Sequence, residues 1–167
     1  MRFIYVILFV IGALINGTCQ NTQHFMDSAE LKANQKDYNS AIYYYSLVIK
    51  MDSKSSMAYY NRGLLKIKIE DYQGGITDLN KAISLNPQYA KAYIIRGFAK
   101  IGHNDDQGAL NDFKEAVSID PQNADAYLGR GLAYFLNDSK DLACKDFMQA
   151  KKLGSTKAEA DIKKYCR

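Results

Sequence analysis

The sequence repeats one pattern of small and large residues every 34 residues, four times and without an insertion. The small positions are Ala29, Gly63, Gly97 and Gly131, then Ala41, Gly75, Ala109 and Ala143, then Ala82, Ala116 and Ala150, preceded by Val48 in the same register. The large apolar positions are Phe25, Tyr59, Tyr93 and Tyr127, then Tyr45, Leu79, Phe113 and Phe147. A fixed period of about 20–50 residues indicates a stacked array, because one short unit cannot bury its apolar face alone. Arrays of this kind present a long surface and are used mostly for binding.

Glycine and proline positions indicate that the repeating unit is a pair of helices. Glycine inside a helix costs about 1 kcal/mol relative to alanine, so three glycines in phase need a compensating contact. We expect that contact to be a large aromatic side chain, since a small residue opposite it lets two helices approach closely. Pro87 and Pro121 push the preceding residue out of the helical region and so separate one pair from the next. The array is therefore predicted to be all-α, with the eleven glycines and alanines above as its packing positions.

The segments that carry this period resemble the tetratricopeptide repeat. The resemblance is carried by AYYNRG at 58–63, DYQGGI at 71–76, Leu79, Ala82 and Asn86-Pro87, and residues 92–121 and 126–150 match again. Residues 22–55 resemble a weaker first copy. Asp106 and Lys140 depart from the pattern by replacing a turn aromatic, and Ser53 and Ser155 depart from it by replacing the proline.

The resemblance implies a right-handed superhelix with a concave inner face, built from helix-turn-helix repeats within 20–157. The four repeats are expected at 22–55, 56–89, 90–123 and 124–157, giving eight antiparallel helices. Residues 158–167 are expected to form a capping helix, since the last repeat of a solenoid needs a polar cover.

The first 19 residues do not belong to the array and are predicted to be a secretory signal peptide. A positive Arg2 precedes a thirteen-residue run without a charge, 3–15, which fits the apolar region of such a signal and is short for a membrane span. Cleavage after Gly17 or after Cys19 is expected. The alternatives are lipidation of Cys19, which would attach the chain to a membrane, and an uncleaved N-terminal anchor. On each of these interpretations the repeats lie outside the cytosol, in the periplasm or the medium.

Composition argues against catalysis and against a nucleic-acid partner. The net charge of +4 is mild and dispersed along the chain. The two histidines, His24 and His103, are not in a metal-ligand spacing, and the sequence has no Cys-x-x-Cys pair, phosphate-binding loop or serine elbow. We therefore expect no enzyme activity, no cofactor and no metal site.

An apolar stripe on the first helix of each repeat is the candidate binding site, because the resemblance implies that these helices line the concave groove. The stripe comprises Tyr60, Leu64 and Ile67, then Ile94, Phe98 and Ile101, then Leu128, Leu132 and Phe135, each triplet at spacing i, i+4, i+7. In the first repeat the groove is expected to carry polar residues instead, at Gln23, Glu30 and Asn34. Many family members carry asparagine where Leu64, Phe98 and Leu132 stand, and some hold a peptide carboxylate there with lysine and asparagine. This sequence does not match such a carboxylate clamp. The alternative is that the stripe merely widens the core.

Arginine recurs immediately before the packing glycine at positions 62, 96 and 130. One interpretation is a ladder that binds an acidic ligand. The favoured interpretation is that each guanidinium stacks on a neighbouring tyrosine with its charged end in water.

Cys144 and Cys166 are predicted to form a disulfide bond that holds the capping helix. Each cysteine lies eleven residues from Ser155, in the turn between the last two helices, so the two come level across a helical hairpin. Export would place them where disulfides persist. A buried Cys144 beside a free Cys166 is the alternative.

The sequence thus predicts a noncatalytic scaffold that binds another protein, through a peptide segment or a helix held in the groove. The alternative is an accessory structural subunit of a cell-envelope assembly, which docks by its convex face or self-associates. The oligomeric state stays open.

Overall fold

The computed structural model describes residues 20–166, which form nine helices. They are α1 (20–34), α2 (Tyr38–Met51), α3 (Ser56–Lys68), α4 (Tyr72–Leu85), α5 (Ala90–Gly102), α6 (Asp106–Ile119), α7 (Ala124–Leu136), α8 (Lys140–Lys152) and α9 (Ala158–Tyr165). Successive helices pack on one another, and α3, α5 and α7 also contact each other in turn. The predicted all-α solenoid of paired helices is confirmed. The expected signal peptide and Cys19 lie outside the described residues.

The 34-residue period follows from the lengths of the elements. In the second repeat α3 has 13 residues and α4 has 14, and the turn between them (69–71) and the connection after them (86–89) supply the remaining seven. Aspartates at the same register position end the turns and cap the second helices: Asp37, Asp71 and Asp105 accept hydrogen bonds from the backbone N–H three residues later, at 2.9–3.2 Å. These caps fix where each second helix begins.

All four turns within repeats contain a residue in the left-handed region. These are Lys36, Glu70, Asn104 and Asp138, with φ between 58° and 66°. None of them is glycine, so each carries a conformational cost that glycine would not. The sequence analysis missed this recurrent position.

The structure buries all eleven predicted packing residues. A Cβ atom added to Gly97 would lie 2.8 Å from Cζ of Phe113, and one added to Gly131 would lie 2.7 Å from the Phe147 ring. At Gly63 the expectation of an aromatic neighbour is wrong, because an added Cβ would meet the Gly75 carbonyl oxygen at 3.0 Å and Cγ of Leu79 at 3.1 Å. Gly129, which the period did not single out, faces the same Phe113 ring and leaves even less room. The two phenylalanines are fully buried, so glycine is what permits the helices to approach this closely.

At the C-terminal end, α9 packs on α8, and a disulfide joins Cys144 to Cys166 with 5.6 Å between the Cα atoms. The Tyr165 ring lies 4.3 Å from that of Phe135 and 5.9 Å from that of Phe147. The apolar end of the last repeat is thereby covered.

Candidate partner-binding groove

The first helices of successive repeats lie side by side and bring the predicted stripe together on one face of the array. Ile94 and Leu128 are buried, and the other seven stripe residues are half-buried. The stripe is thus neither a fully exposed patch nor ordinary core.

Aromatic contacts explain the partial burial. Phe98 meets Phe113 edge to face with 4.9 Å between ring centroids, and Tyr60 lies 4.8 Å from Tyr89 in the connection between repeats. Burial raises the pKa of the Tyr60 and Tyr89 phenols. One side of these rings therefore packs in the core while the other side remains accessible to solvent. Replacing Phe98 by a polar residue would consequently disturb the fold as well as the groove.

Two further apolar residues continue the stripe and are exposed. Met57 is 50% exposed and stands one helical turn before Tyr60, and Leu136 is 39% exposed and stands one turn after Leu132. The sequence analysis omitted both, although their spacing places them on the same helical face. They are the most accessible apolar side chains of this face.

A small pocket of about 180 Å³ marks the end of the groove near the first repeat. It is lined by Ala33, Asn34, Tyr38, Tyr45, Asn61, Leu64, Leu65 and Lys68. The Lys68 ammonium lies 5.5 Å from the centre of the Tyr38 ring. Burial raises the pKa of Tyr45 to about 12, the negative charge of Glu30 adds to the effect, and a hydrogen bond from Asn61 opposes it. The groove is therefore polar at this end and carries charges of both signs, from Lys68 and Glu30. The three polar groove residues that the sequence analysis named in the first repeat, Gln23, Glu30 and Asn34, are exposed on α1.

The recurrent arginines are not free for an acidic ligand, because each donates two hydrogen bonds to a buried aspartate sixteen residues later. The pairs are Arg62–Asp78, Arg96–Asp112 and Arg130–Asp146, with N···O distances of 2.6–2.9 Å. Each guanidinium also lies 5.1–5.6 Å from the centre of a tyrosine ring, at Tyr59, Tyr93 and Tyr127 respectively. The expected stacking on tyrosine is present, but the charged end meets a carboxylate instead of ending in water.

Further polar contacts link these ion pairs across repeats. Arg96 donates a third hydrogen bond to Asn80 of the preceding repeat at 2.7 Å, and Lys100 lies 3.0 Å from the Asp112 carboxylate. The sequence analysis missed the aspartates, although they recur with the same 34-residue period. Their role is structural: they tie the two helices of a repeat together, and Arg62 and Arg96 extend the link to Ser46 and Asn80 of the repeat before.

Neither a metal site nor a membrane-spanning helix is found among the described residues. His24 and His103 are both exposed. No group of histidine, cysteine and carboxylate side chains within 20–166 is arranged to hold a metal ion. None of the described helices is long and apolar enough to cross a membrane.

Comparisons with known proteins agree with this architecture. Residues 58–89 match the family model described as tetratricopeptide repeat, and residues 103–138 match one described as TPR repeat. No curated protein matches the sequence.

Among solved structures, a crystal structure of MamA is similar, with 27% identity, a TM-score of 0.77, and coverage of 89% of this chain and 86% of that one. TTC0263, a thermophilic TPR protein of Thermus thermophilus, has 20% identity and a TM-score of 0.68, covering 80% and 74%. The second TPR domain of human RPAP3, in complex with the HSP70 peptide SGPTIEEVD, has 24% identity and a TM-score of 0.67, covering 70% and 97%. The matched segments, the helix pairs and these likenesses together support the tetratricopeptide repeat family, and the chain folds as a solenoid of that type.

Proposed function

We propose that this protein is a noncatalytic scaffold that holds a peptide segment or a helix of a partner protein in its concave groove. The observation that carries the proposal is the line of accessible apolar surface from Met57, through the half-buried stripe, to Leu136. Exposed apolar surface of this kind is typical of interaction sites. The tetratricopeptide fold is itself typical of protein–protein interaction, and the similar RPAP3 domain binds a peptide.

The two ends of the groove differ, which would give the bound segment a direction. The end near the first repeat has amide and ammonium groups at Asn34, Asn61 and Lys68, whereas the other end is apolar and aromatic at Leu132 and Phe135. A segment with polar residues at one end and large apolar residues at the other fits this arrangement.

Two methionines provide a matched test. Met57 on the groove face is 50% exposed, and Met148 on the second helix of the last repeat is 55% exposed. Glutamate at position 57 should weaken partner binding at least about tenfold, because an unpaired charge would be buried against the apolar segment. Met148→Glu should leave binding unchanged. Both variants should keep their helicity, since both side chains lie largely in solvent.

The measurement is the affinity of each variant for the partner recovered with the wild-type chain. Loss of binding in Met148→Glu with retention in Met57→Glu would instead favour the accessory subunit that docks by its convex face.

We also propose that the chain is exported, as a periplasmic or secreted protein or as a lipoprotein through Cys19. The apolar run 3–15 and the disulfide support this, because disulfides persist in oxidising compartments. The test is the mass of the native protein. An intact N-terminus at Met1 would contradict the proposal, and a diacylglycerol adduct on Cys19 would select the lipoprotein.

A further inference from the structure

The last helix, α9, depends for its stability on the surface against which it packs. It has eight residues, and Ala158 is the one that is buried. Isolated helices shorter than about 12–15 residues are marginal in water, so α9 is not stable alone. Its ion pair between Lys151 and Glu159, at 3.7 Å, is exposed and contributes little.

Apolar contacts place α9 on the end of the groove. Tyr165 packs between Phe135 of α7 and Phe147 of α8, and Ile162 packs against the same cluster. Phe147 is fully buried where α9 lies beside it, while Phe135 and Leu132 belong to the inner stripe. The surface under α9 is therefore continuous with the groove.

The disulfide secures the free end of this helix. At its start α9 is held by the short connection from α8, and at its end by the Cys144–Cys166 bond. Both cysteines are partly exposed, so a reductant has access to them. Without the bond, a helix too short to persist alone would be tethered at one end.

We infer that the surface under α9, formed by Leu132, Phe135, Phe147 and Ala150, is a binding site for an amphipathic helix, and that the disulfide latches the chain's own α9 into it. Reduction releases α9 and opens the site to a helix that presents apolar residues at the spacing of Ala158, Ile162 and Tyr165. Reduction thereby extends the proposed groove by one more binding site at its C-terminal end, and the redox state of the disulfide controls access to that site.

The reductant is a dithiol, either a small molecule or a protein. One of its thiolates attacks a sulfur of the pair, forming a mixed disulfide and releasing the other cysteine as a thiolate that takes up a proton. The second thiol of the reductant then displaces the remaining cysteine. Two electrons and two protons pass to Cys144 and Cys166, and the reductant leaves as a disulfide.

Amide hydrogen exchange of the full chain, with and without a dithiol, tests the latch without any partner. We expect amides of α9 to exchange at least about tenfold faster after reduction, because the bond no longer restrains the open state. Amides of α3 to α6 should be unchanged. The variant Cys144→Ser/Cys166→Ser should match the reduced chain in both conditions, which excludes an effect of the reductant itself.

A fluorescent synthetic peptide of residues 156–166 carrying Cys166→Ser tests the site. It should bind the reduced chain at least about tenfold more tightly than the oxidised chain, since α9 occupies the site in the latter. Phe135→Glu should abolish the peptide's binding to the reduced chain.

Equal exchange of α9 in both redox states would overturn the inference, as would unfolding of the whole array on reduction. Equal peptide binding to the two states, or none to either, would overturn it too. These outcomes are independent of Met57, so a failure here is distinguishable from a failure of the proposed groove function.

Discussion

Arg96 donates two hydrogen bonds to the carboxylate of Asp112, at 2.9 and 2.6 Å, and thereby ties the two helices of the third repeat together. Asp112 is 3% exposed and also lies 3.0 Å from the Lys100 ammonium. Three buried carboxylates in phase show that this solenoid uses charge as well as apolar packing between its helices. A buried ion pair adds little net stability, because the cost of removing both charges from water offsets their attraction. Removing only one partner is strongly destabilising, because it leaves the other charge buried without a counter-charge.

Asp112→Asn should therefore lower the free energy of unfolding by about 3 kcal/mol or more, because two cations lose their counter-charge. The measurement is urea denaturation followed by circular dichroism. Asp146→Asn should cost less, since Tyr134 stands where Lys100 stands in the repeat before. The double variant Arg96→Met/Asp112→Leu should be more stable than Asp112→Asn, and a lower stability would contradict this account of the pair.

Gly129→Ala should destabilise the protein by about 1–3 kcal/mol, because the added methyl group would overlap the buried Phe113 ring. Alanine is the better helix former by about 1 kcal/mol, so a loss of stability isolates the steric effect. Thermal melting measures it. Combined with Phe113→Leu, which frees space, the substitution should cost less than it does alone. A higher melting temperature for Gly129→Ala would show that the close approach is not needed.

Glu70→Gly should raise the free energy of unfolding by about 1 kcal/mol, because Glu70 lies in the left-handed region at φ 66°. Asn104→Gly should gain less, since asparagine tolerates that region better. Lys81→Gly, at an exposed position inside α4, is the control and should cost about 1 kcal/mol. If Glu70→Gly were destabilising to the same degree as Lys81→Gly in urea denaturation, the turn would not carry the expected strain.

Stability should fall between about pH 10 and pH 12 because of Tyr45, whose folded pKa of about 12 lies above the unfolded value near 10. Burial favours the neutral phenol, so this contribution is fully present below pH 10 and is lost as the pH rises through 12. The loss amounts to about 2–3 kcal/mol. Urea denaturation at several pH values should show a shallower fall for Tyr45→Phe. Tyr43→Phe, at a 61% exposed residue, should behave as wild type.

The sequence predicts the helical array well because the residues at which helices pack together recur with the 34-residue period. A small residue such as Gly97 recurs wherever two helices approach closely, and Pro87 and Pro121 stand where the second and third pairs end. These constraints act on single positions along the chain, so the array of paired helices can be inferred from it.

Contacts between side chains of different helices are less visible in the sequence. The Asp112 carboxylate is one of many acidic residues, and its pairing with Arg96 depends on how two helices face each other. Phe98 is half-buried because the Phe113 ring packs against it, and Phe135 is covered because α9 places Tyr165 beside it. Both contacts depend on how the helices pack. The left-handed turn position escaped notice because four different residue types occupy it.

Site-specific photocrosslinking tests the groove most directly. A photoreactive amino acid is placed in turn at Met57, Leu136, Met148 and Tyr43, all of them exposed. The protein is irradiated with its partners present, and the adducts are identified by mass spectrometry. We predict that one partner segment crosslinks to positions 57 and 136 and to neither 148 nor 43. Adducts confined to 148 and 43 would contradict a scaffold that binds through its concave face.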